Sequence, residues 1–252
     1  KAEKAAKPTP PKIKPEVISL DKEEVRPLSL MRKTIAARMV TSHQTAAHVT
    51  AVIEVNMDNV EQVRTAFKER FKKQEGFSLT YLPFVCQAVI SGLKQFPVLN
   101  SSLNEDKLII KHYVNLGIAV ALEDGLIVPV IKGADELSLL GLARKIKDVA
   151  DRARAHKLLP DEVHEGTFTI TNPGVFGTVI QTPIINPPQV GILSLEAVKK
   201  RVVVIDDAIA IKPMVNLCLS YDHRVLDGAT AAQFLTYVKN ELEQRNFMAE
   251  FS

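Results

Sequence analysis

The sequence predicts an α/β fold in which a mixed β-sheet is flanked by helices. Two observations lead to this prediction. Segments with apolar residues at every second position alternate along the chain with segments whose apolar residues recur every three or four positions. Some apolar segments are separated by short turns and others by long connections, so antiparallel and parallel neighbours are both expected in the sheet.

Five segments have helical periodicity. Each is expected to bury one apolar stripe against the sheet. They are "SLMRKTIAARMVTSH" with Ser29 as N-cap, a helix capped by Asp58, a helix over roughly 81–94, a helix opened by Ser138, and a last helix that follows Asp227.

The strand candidates are short and rich in β-branched residues. Four of them form two pairs around acidic turns, one at 123–125 and one at Asp206-Asp207. The candidates are "HVTAVIEVN", two strands within "NLGIAVALEDGLIVPVI", residues 167–171, residues 190–195, "VVVI" with "AIAI", and residues 214–220.

The chain divides into a linker and one domain. Residues 1–27 are predicted to be a Lys/Ala/Pro-rich interdomain linker, because the composition of the first 18 residues cannot bury a core. Either a disordered tail or a tether to another domain fits that composition. A first residue of Lys rather than Met suggests a fragment or a processed chain. Residues 28–252 contain no repeat or second linker and are predicted to form one domain.

Composition excludes several classes of function. The formal net charge is only +3, and no basic helix face carries interleaved aromatic residues, so no nucleic acid partner is expected. No apolar run could span a bilayer, and no membrane partner is expected. The two cysteines indicate no disulfide framework, which favours a cytoplasmic or mitochondrial matrix setting. No Cys or His pair has the spacing of metal ligands, so no metal is expected.

One histidine is a candidate for chemistry. His223 follows the apolar run "VNLCL" at the exit of a predicted strand, where its side chain can face a cleft. An imidazole has a pKa near neutrality and can accept a proton from a weak acid. A structural histidine at a strand end is the simpler alternative. Asp227, four residues later, is a good helix N-cap and can also fix the loop that carries the imidazole.

The sequence offers His223 no nucleophile of its own. Cys218 is flanked by leucines and is expected to be a small core residue. No Gly-x-Ser-x-Gly turn is present. Covalent catalysis by the protein is therefore not expected, and His223 would activate a nucleophile that belongs to a substrate.

The segment "SYDHRVLDGA" resembles the His-x-x-x-Asp-Gly motif of coenzyme A-dependent acyltransferases of the chloramphenicol acetyltransferase type. Peptide synthetase condensation domains share that motif, but four further segments are more selective. In the same order, they resemble the catalytic cores of dihydrolipoamide acyltransferases from 2-oxo acid dehydrogenase complexes. The segments are "RKTIAARM", "EDGLIVPVI", "TFTITNPGVFGT" and "TPIINPPQVGIL", and the resemblance covers about residues 28–246.

The resemblance implies acyl transfer between a dihydrolipoyl thiol and coenzyme A, with a chloramphenicol acetyltransferase-like fold. A thiol is only slightly ionised at neutral pH, so a general base is needed, and His223 would be that base. The resemblance implies that the Thr171 hydroxyl stabilises the oxyanion, although Thr171 also suits a strand by propensity alone. It also implies that Arg32 pairs with Asp227, where a surface arginine is the simpler alternative.

The resemblance further implies partners. Coenzyme A would be a co-substrate, and the lipoyl group would be carried on a separate domain. The chain would self-associate into trimers and a larger hollow particle, and would work with lipoyl domains, a decarboxylating dehydrogenase and a dihydrolipoyl dehydrogenase. A succinyl group is slightly favoured, with acetyl and branched-chain acyl groups as alternatives. A non-catalytic structural core and a free-standing acetyltransferase are the rival interpretations.

Overall fold

The computed structural model describes residues 19–20, 23–123 and 125–251. Residues 1–18 of the predicted linker, and Asp124 of the predicted turn, lie outside the described residues. Within the described part of the linker, β1 (Ser19–Leu20) pairs with β2 (Glu23–Glu24) in antiparallel orientation.

The main sheet has seven strands, and it is mixed as predicted. β10 runs parallel to β6 and β11, while the remaining pairs in the sheet are antiparallel. The order is β12-β13-β11-β10-β6-β9, and β3 also pairs with β13. Outside the main sheet, β4 pairs with β5 and β7 pairs with β8. In chain order, the strands of these three sheets are β3 (His48–Asn56), β4 (Ser101–Asn104), β5 (Lys107–Ile110), β6 (Leu116–Ile118), β7 (Val120–Leu122), β8 (Gly125–Ile127), β9 (Val130–Ile131), β10 (Phe168–Thr171), β11 (Gly191–Leu195), β12 (Lys199–Ile205) and β13 (Ala208–Asp222).

All five predicted helices are present. They are α1 (Leu30–Thr45), α2 (Asp58–Glu75), α3 (Leu82–Gln95), α4 (Leu139–Arg154) and α5 (Gly228–Gln244). Ser29, Ser138 and Asp227 are N-caps, each accepting a backbone N–H from the first turn.

The prediction for Asp58 was wrong by one position. Asp58 is the first residue of α2, and Met57 occupies the N-cap position without a capping side chain. The Asp58 N–H is instead satisfied by Asn56 Oδ1 at 3.0 Å, and the Asp58 carboxylate accepts from Lys212 Nζ at 2.5 Å. Asn56, two residues upstream, therefore takes over part of the capping that was assigned to Asp58.

Two strand predictions also differ from the structure. The run expected to form two strands forms β6, β7, β8 and β9, with β7 and β8 making a separate hairpin. The segments "AIAI" and 214–220 are one continuous strand, β13. Pro213 does not interrupt β13, because its fixed φ suits an extended chain and its carbonyl accepts the Met57 N–H at 2.8 Å.

The two faces of the main sheet differ in polarity. Alternate residues of β13, including Leu217 and Leu219, belong to the core cluster that also contains the buried residues of α2 to α5. The other face carries buried polar residues, among them Thr169, Ser194 and Ser220. This polar face holds the candidate site described next. Among the described residues, no helix combines the length and apolar character needed to cross a membrane.

Candidate active site

His223 lies directly after the last residue of β13, and its position is fixed by the backbone. Its N–H donates to Ala47 O at 2.8 Å, which ties the residue to the loop before β3. Its ring centroid lies 5.7 Å from that of Tyr221. The side chain is exposed, so the described residues of this chain do not enclose His223 in the cleft that was expected.

Asp222 anchors the loop that carries His223. It is only 3% exposed, and its Oδ1 accepts the N–H of Ala47 at 3.2 Å and that of Arg224 at 3.1 Å. The Arg224 guanidinium donates to both carboxylate oxygens. Burial by itself would raise the pKa of Asp222, but the hydrogen bonds and charge of Arg224 outweigh it and hold that pKa below its usual value. Asp222 and Arg224, which precede and follow His223, are thus bonded to each other, and Asp222 is also paired with His48 of β3.

Asp227 caps α5 as predicted. Its Oδ1 accepts the Thr230 N–H at 2.7 Å. Hydrogen bonds from Thr230 lower the pKa of Asp227. Arg32 lies in the first turn of α1, where its N–H donates to Ser29 Oγ at 3.2 Å. The pairing of Arg32 with Asp227 remains a prediction.

Thr171 is the last residue of β10 and is half-buried. Its hydroxyl makes no hydrogen bond to the described residues, so it is available to an incoming acceptor. Thr171 lines a cavity of about 790 Å³ whose wall is largely apolar and includes Lys147 and Arg154. A cavity of this size lies within the usual range for small-molecule sites.

The turn after Thr171 is shaped by Gly174. A Cβ atom on Gly174 would lie 2.3 Å from the carbonyl carbon of Glu196, so only glycine fits there. The turn after Thr171 is therefore packed against the backbone that follows β11.

Thr171 and His223 lie at opposite ends of the sheet in one chain. Thr171 is in register with Ser194, and Ser194 with Cys218. His223 is five residues beyond Cys218 along β13. Five residues along a strand and two strand spacings across the sheet put Thr171 and His223 roughly 19 Å apart. Within one chain, His223 and Thr171 are therefore too far apart to contact the same reacting group.

Sequence reasoning missed two groups around the site. Asp222 and Arg224 flank His223 directly. The sequence signal that could have found them is the pair of opposite charges on either side of the histidine. Glu196 gave no signal, because its place beside Thr171 depends on the register of β10 with β11. Cys218 is fully buried and not a nucleophile in reach of solvent, as predicted.

A family model described as "2-oxoacid dehydrogenases acyltransferase (catalytic domain)" matches residues 20–250. The chain belongs to this family. The match includes every segment that carried the resemblance, and it starts eight residues before the predicted domain boundary at residue 28.

Two relatives show the range of the family. The chain is 44% identical over 221 residues to the dihydrolipoyllysine-residue succinyltransferase component of the 2-oxoglutarate dehydrogenase complex of Bartonella vinsonii, covering 88% of this chain and 54% of that protein. It is 45% identical over 240 residues to the lipoamide acyltransferase component of the branched-chain α-keto acid dehydrogenase complex of Bacillus subtilis, covering 95% and 57%. The chain thus spans little more than half the length of these curated relatives.

Solved structures confirm the fold. A probable dihydrolipoamide acetyltransferase from Listeria monocytogenes matches with a TM-score of 0.87 and 45% identity, covering 90% of this chain and 98% of that one. The cubic core of a pyruvate dehydrogenase multienzyme complex matches with a TM-score of 0.86 and 35% identity, covering 94% and 100%. Chloramphenicol acetyltransferase, at 12% identity and a TM-score of 0.51 over 82% and 94%, shares the fold. The prediction of a chloramphenicol acetyltransferase-like fold is confirmed.

Proposed function

We propose that the chain transfers an acyl group between a dihydrolipoyl thiol and coenzyme A, as the core of a 2-oxo acid dehydrogenase complex. The observation that carries this proposal is the exposed His223, fixed through Asp222 and Ala47, within a chain that matches the acyltransferase family over residues 20–250. A histidine kept only for structure would not need an exposed ring on so firmly anchored a backbone.

The proposed chemistry needs one base and one hydrogen-bond donor. His223 accepts the proton of the attacking thiol, whose sulfur then bonds to the thioester carbonyl carbon. Thr171 donates its free hydroxyl to the carbonyl oxygen as negative charge develops there. When the carbon–sulfur bond of the original thioester breaks, His223 returns the proton to the leaving thiolate. The protein forms no covalent bond with the acyl group.

We propose that each working site lies between two chains. The separation of roughly 19 Å between Thr171 and His223 within one chain supports this, because His223 would then act beside the Thr171 of a neighbouring subunit. The cubic core among the matching structures supports self-association into trimers and a larger particle. Lipoyl domains, a decarboxylating dehydrogenase and a dihydrolipoyl dehydrogenase are the further partners we propose.

An apolar hairpin arm, formed by β12 and the start of β13, also supports self-association. The register of the arm places four aliphatic side chains on one face. These side chains are between 67% and 80% exposed, which is unusual for a chain that stays monomeric. They are Val202, Val204, Ile209 and Ile211.

Succinyl is the leading candidate for the acyl group, because the Bartonella relative is a succinyltransferase. The branched-chain relative of similar identity makes a branched acyl group the alternative. We propose coenzyme A as co-substrate in the cavity beside Thr171, whose lining includes the cations Lys147 and Arg154, both of which also pair with Asp151. We propose a cytoplasmic setting, or the mitochondrial matrix in a eukaryote.

The proposal is tested by assaying succinyl-, acetyl- and isobutyryl-coenzyme A with free dihydrolipoamide. At least one acyl group should be transferred, and His223→Ala should slow that transfer by roughly 10²–10⁴-fold with normal folding. His164→Ala, which changes an exposed histidine with no proposed role, is the matched control and should leave turnover unchanged. Absence of transfer, or near-normal turnover in folded His223→Ala, would favour a non-catalytic structural core.

A further inference from the structure

A buried carboxylate lies next to the proposed oxyanion donor. Glu196 is only 2% exposed, and its Oε1 accepts the Ser194 hydroxyl at 2.6 Å. Ser194 is the residue of β11 in register with Thr171, so Thr171 and Ser194 project from the same face of the sheet. The Glu196 carboxylate bonded to Ser194 therefore lies within about 8 Å of the Thr171 hydroxyl.

Only one of the two carboxylate oxygens is satisfied. Oε2 of Glu196 is buried and makes no hydrogen bond to the described residues. Among these residues no cation forms an ion pair with Glu196. The guanidinium of Arg201 points to Glu54, at 2.7 Å, and reaches Asn216 only at 3.5 Å. Arg201 Nη2 is likewise buried and makes no hydrogen bond to the described residues. Leaving a buried acceptor unpaired costs stability.

The position of Glu196 is rigid. Its N–H donates to Asn216 O at 3.2 Å, and the N–H of the next residue, Ala197, donates to Thr178 O at 2.9 Å. Gly174, in the turn after Thr171, packs directly on the backbone of Glu196. Glu196 and Thr171 therefore keep a fixed relation to each other, and both line the same cavity.

We propose that Glu196 determines how the site discriminates acyl chains by charge. This inference rests on the proposed function, in which Thr171 binds the thioester carbonyl oxygen. An acyl chain that ends in a carboxylate brings a second negative charge near Glu196, whereas a neutral chain does not. Glu196 thereby limits the preference of the protein for succinyl over neutral acyl groups of similar length.

The size of this effect follows from Coulomb's law. For an acyl carboxylate that lies about 8 Å from Glu196, the same separation as that of the Thr171 hydroxyl, repulsion at an effective dielectric constant of about 20 changes a relative rate by roughly 30-fold. The charge of Glu196 also opposes the oxyanion that forms with every acyl group. A change in absolute turnover therefore does not test the inference. The ratio of the kcat/KM values for different acyl groups does.

The experiment compares kcat/KM for succinyl-, isobutyryl- and acetyl-coenzyme A with dihydrolipoamide. Glu196→Gln keeps the size of the side chain and removes its charge. The succinyl-to-isobutyryl ratio should rise by about 10–30-fold over wild type. The acetyl-to-isobutyryl ratio should stay within about 2-fold, since both chains are neutral. Glu69→Gln, an exposed acid on α2, is the matched control and should change neither ratio.

Folding is monitored by thermal melting and light scattering, and Glu196→Met serves as a second neutral variant if Glu196→Gln fails to fold. A succinyl-to-isobutyryl ratio that stays within about 2-fold of wild type in a folded, active neutral variant would overturn the inference. An equal shift of the acetyl-to-isobutyryl ratio would also overturn it, because size rather than charge would then be responsible. If wild type transferred no acyl group at all, the proposed function would fail instead.

Discussion

At the scale of single residues, Asp227 joins the histidine loop to α5 through its cap. The cap needs an oxygen that accepts the Thr230 N–H, and asparagine supplies one. Asp227→Asn should therefore melt close to wild type, whereas Asp227→Ala should lower Tm by about 2–4 °C. Thermal unfolding of the three proteins at neutral pH checks this. Equal losses in the Asn and Ala variants would show that the charge of Asp227, rather than its capping oxygen, is what α5 requires.

Local residue roles could be predicted, and long-range ones could not. The caps at Ser29, Ser138 and Asp227 depend on residues within one helical turn, which the sequence displays directly. The anchoring of Asp222 depends on Ala47, which is 175 positions away in the sequence. The position of Glu196 near Thr171 likewise depends on the register of β10 with β11. Neither contact leaves a periodic or local pattern in the chain.

At the scale of elements, the Thr171–Gly174 turn is positioned by close backbone packing. Gly174→Ala would place a Cβ atom 2.3 Å from backbone that cannot rotate away. We expect the free energy of unfolding to fall by about 1–3 kcal/mol, and kcat to fall because the Thr171 hydroxyl shifts. Denaturant unfolding and acyl transfer assays measure the two effects.

The matched control is Gly141→Ala in the first turn of α4, where a Cβ atom would meet neighbours only at 3.5 Å or more. That change should leave stability unchanged or raise it, because alanine is the better helix former. Gly174→Ala with normal stability and normal kcat would show that the turn tolerates displacement and that its packing does not position Thr171.

The elements themselves were predictable to different degrees. All five helices were found from their apolar periodicity, but the expectation that α1 buries its apolar stripe was wrong, because Ser42 is the only buried residue of α1 and Met31 is 40% exposed. The run over residues 116–131 was misread as two strands, because four strands of two or three residues are too short for a pattern of period two to mark their ends. The continuity of β13 was missed because Lys212 and Pro213 separate the apolar run "AIAI" from the apolar run at 214–220.

At the scale of the whole molecule, the mixed sheet explains why the site is divided. β10 ends at Thr171 at one end of the sheet, while β13, antiparallel to β11, delivers His223 to the opposite end. The sequence pattern predicted the mixed sheet and singled out His223, whereas the family resemblance implied the role of Thr171 and the pairing of the two residues between chains. The distance of roughly 19 Å that makes such a pairing necessary required the strand register.

The central claim is that one working site takes His223 from one chain and Thr171 from another. Thr171→Ala should lower turnover by about 10²-fold or more, as for the loss of one oxyanion donor. The decisive measurement is the activity of particles formed by co-expressing His223→Ala and Thr171→Ala chains in equal amounts. In a cyclic trimer, about a quarter of the sites should then combine an intact histidine with an intact threonine. Activity should recover to about a quarter of wild type, far above either variant alone. If mixing gives only the average of the two variants, both residues act within one chain, and the claim is contradicted.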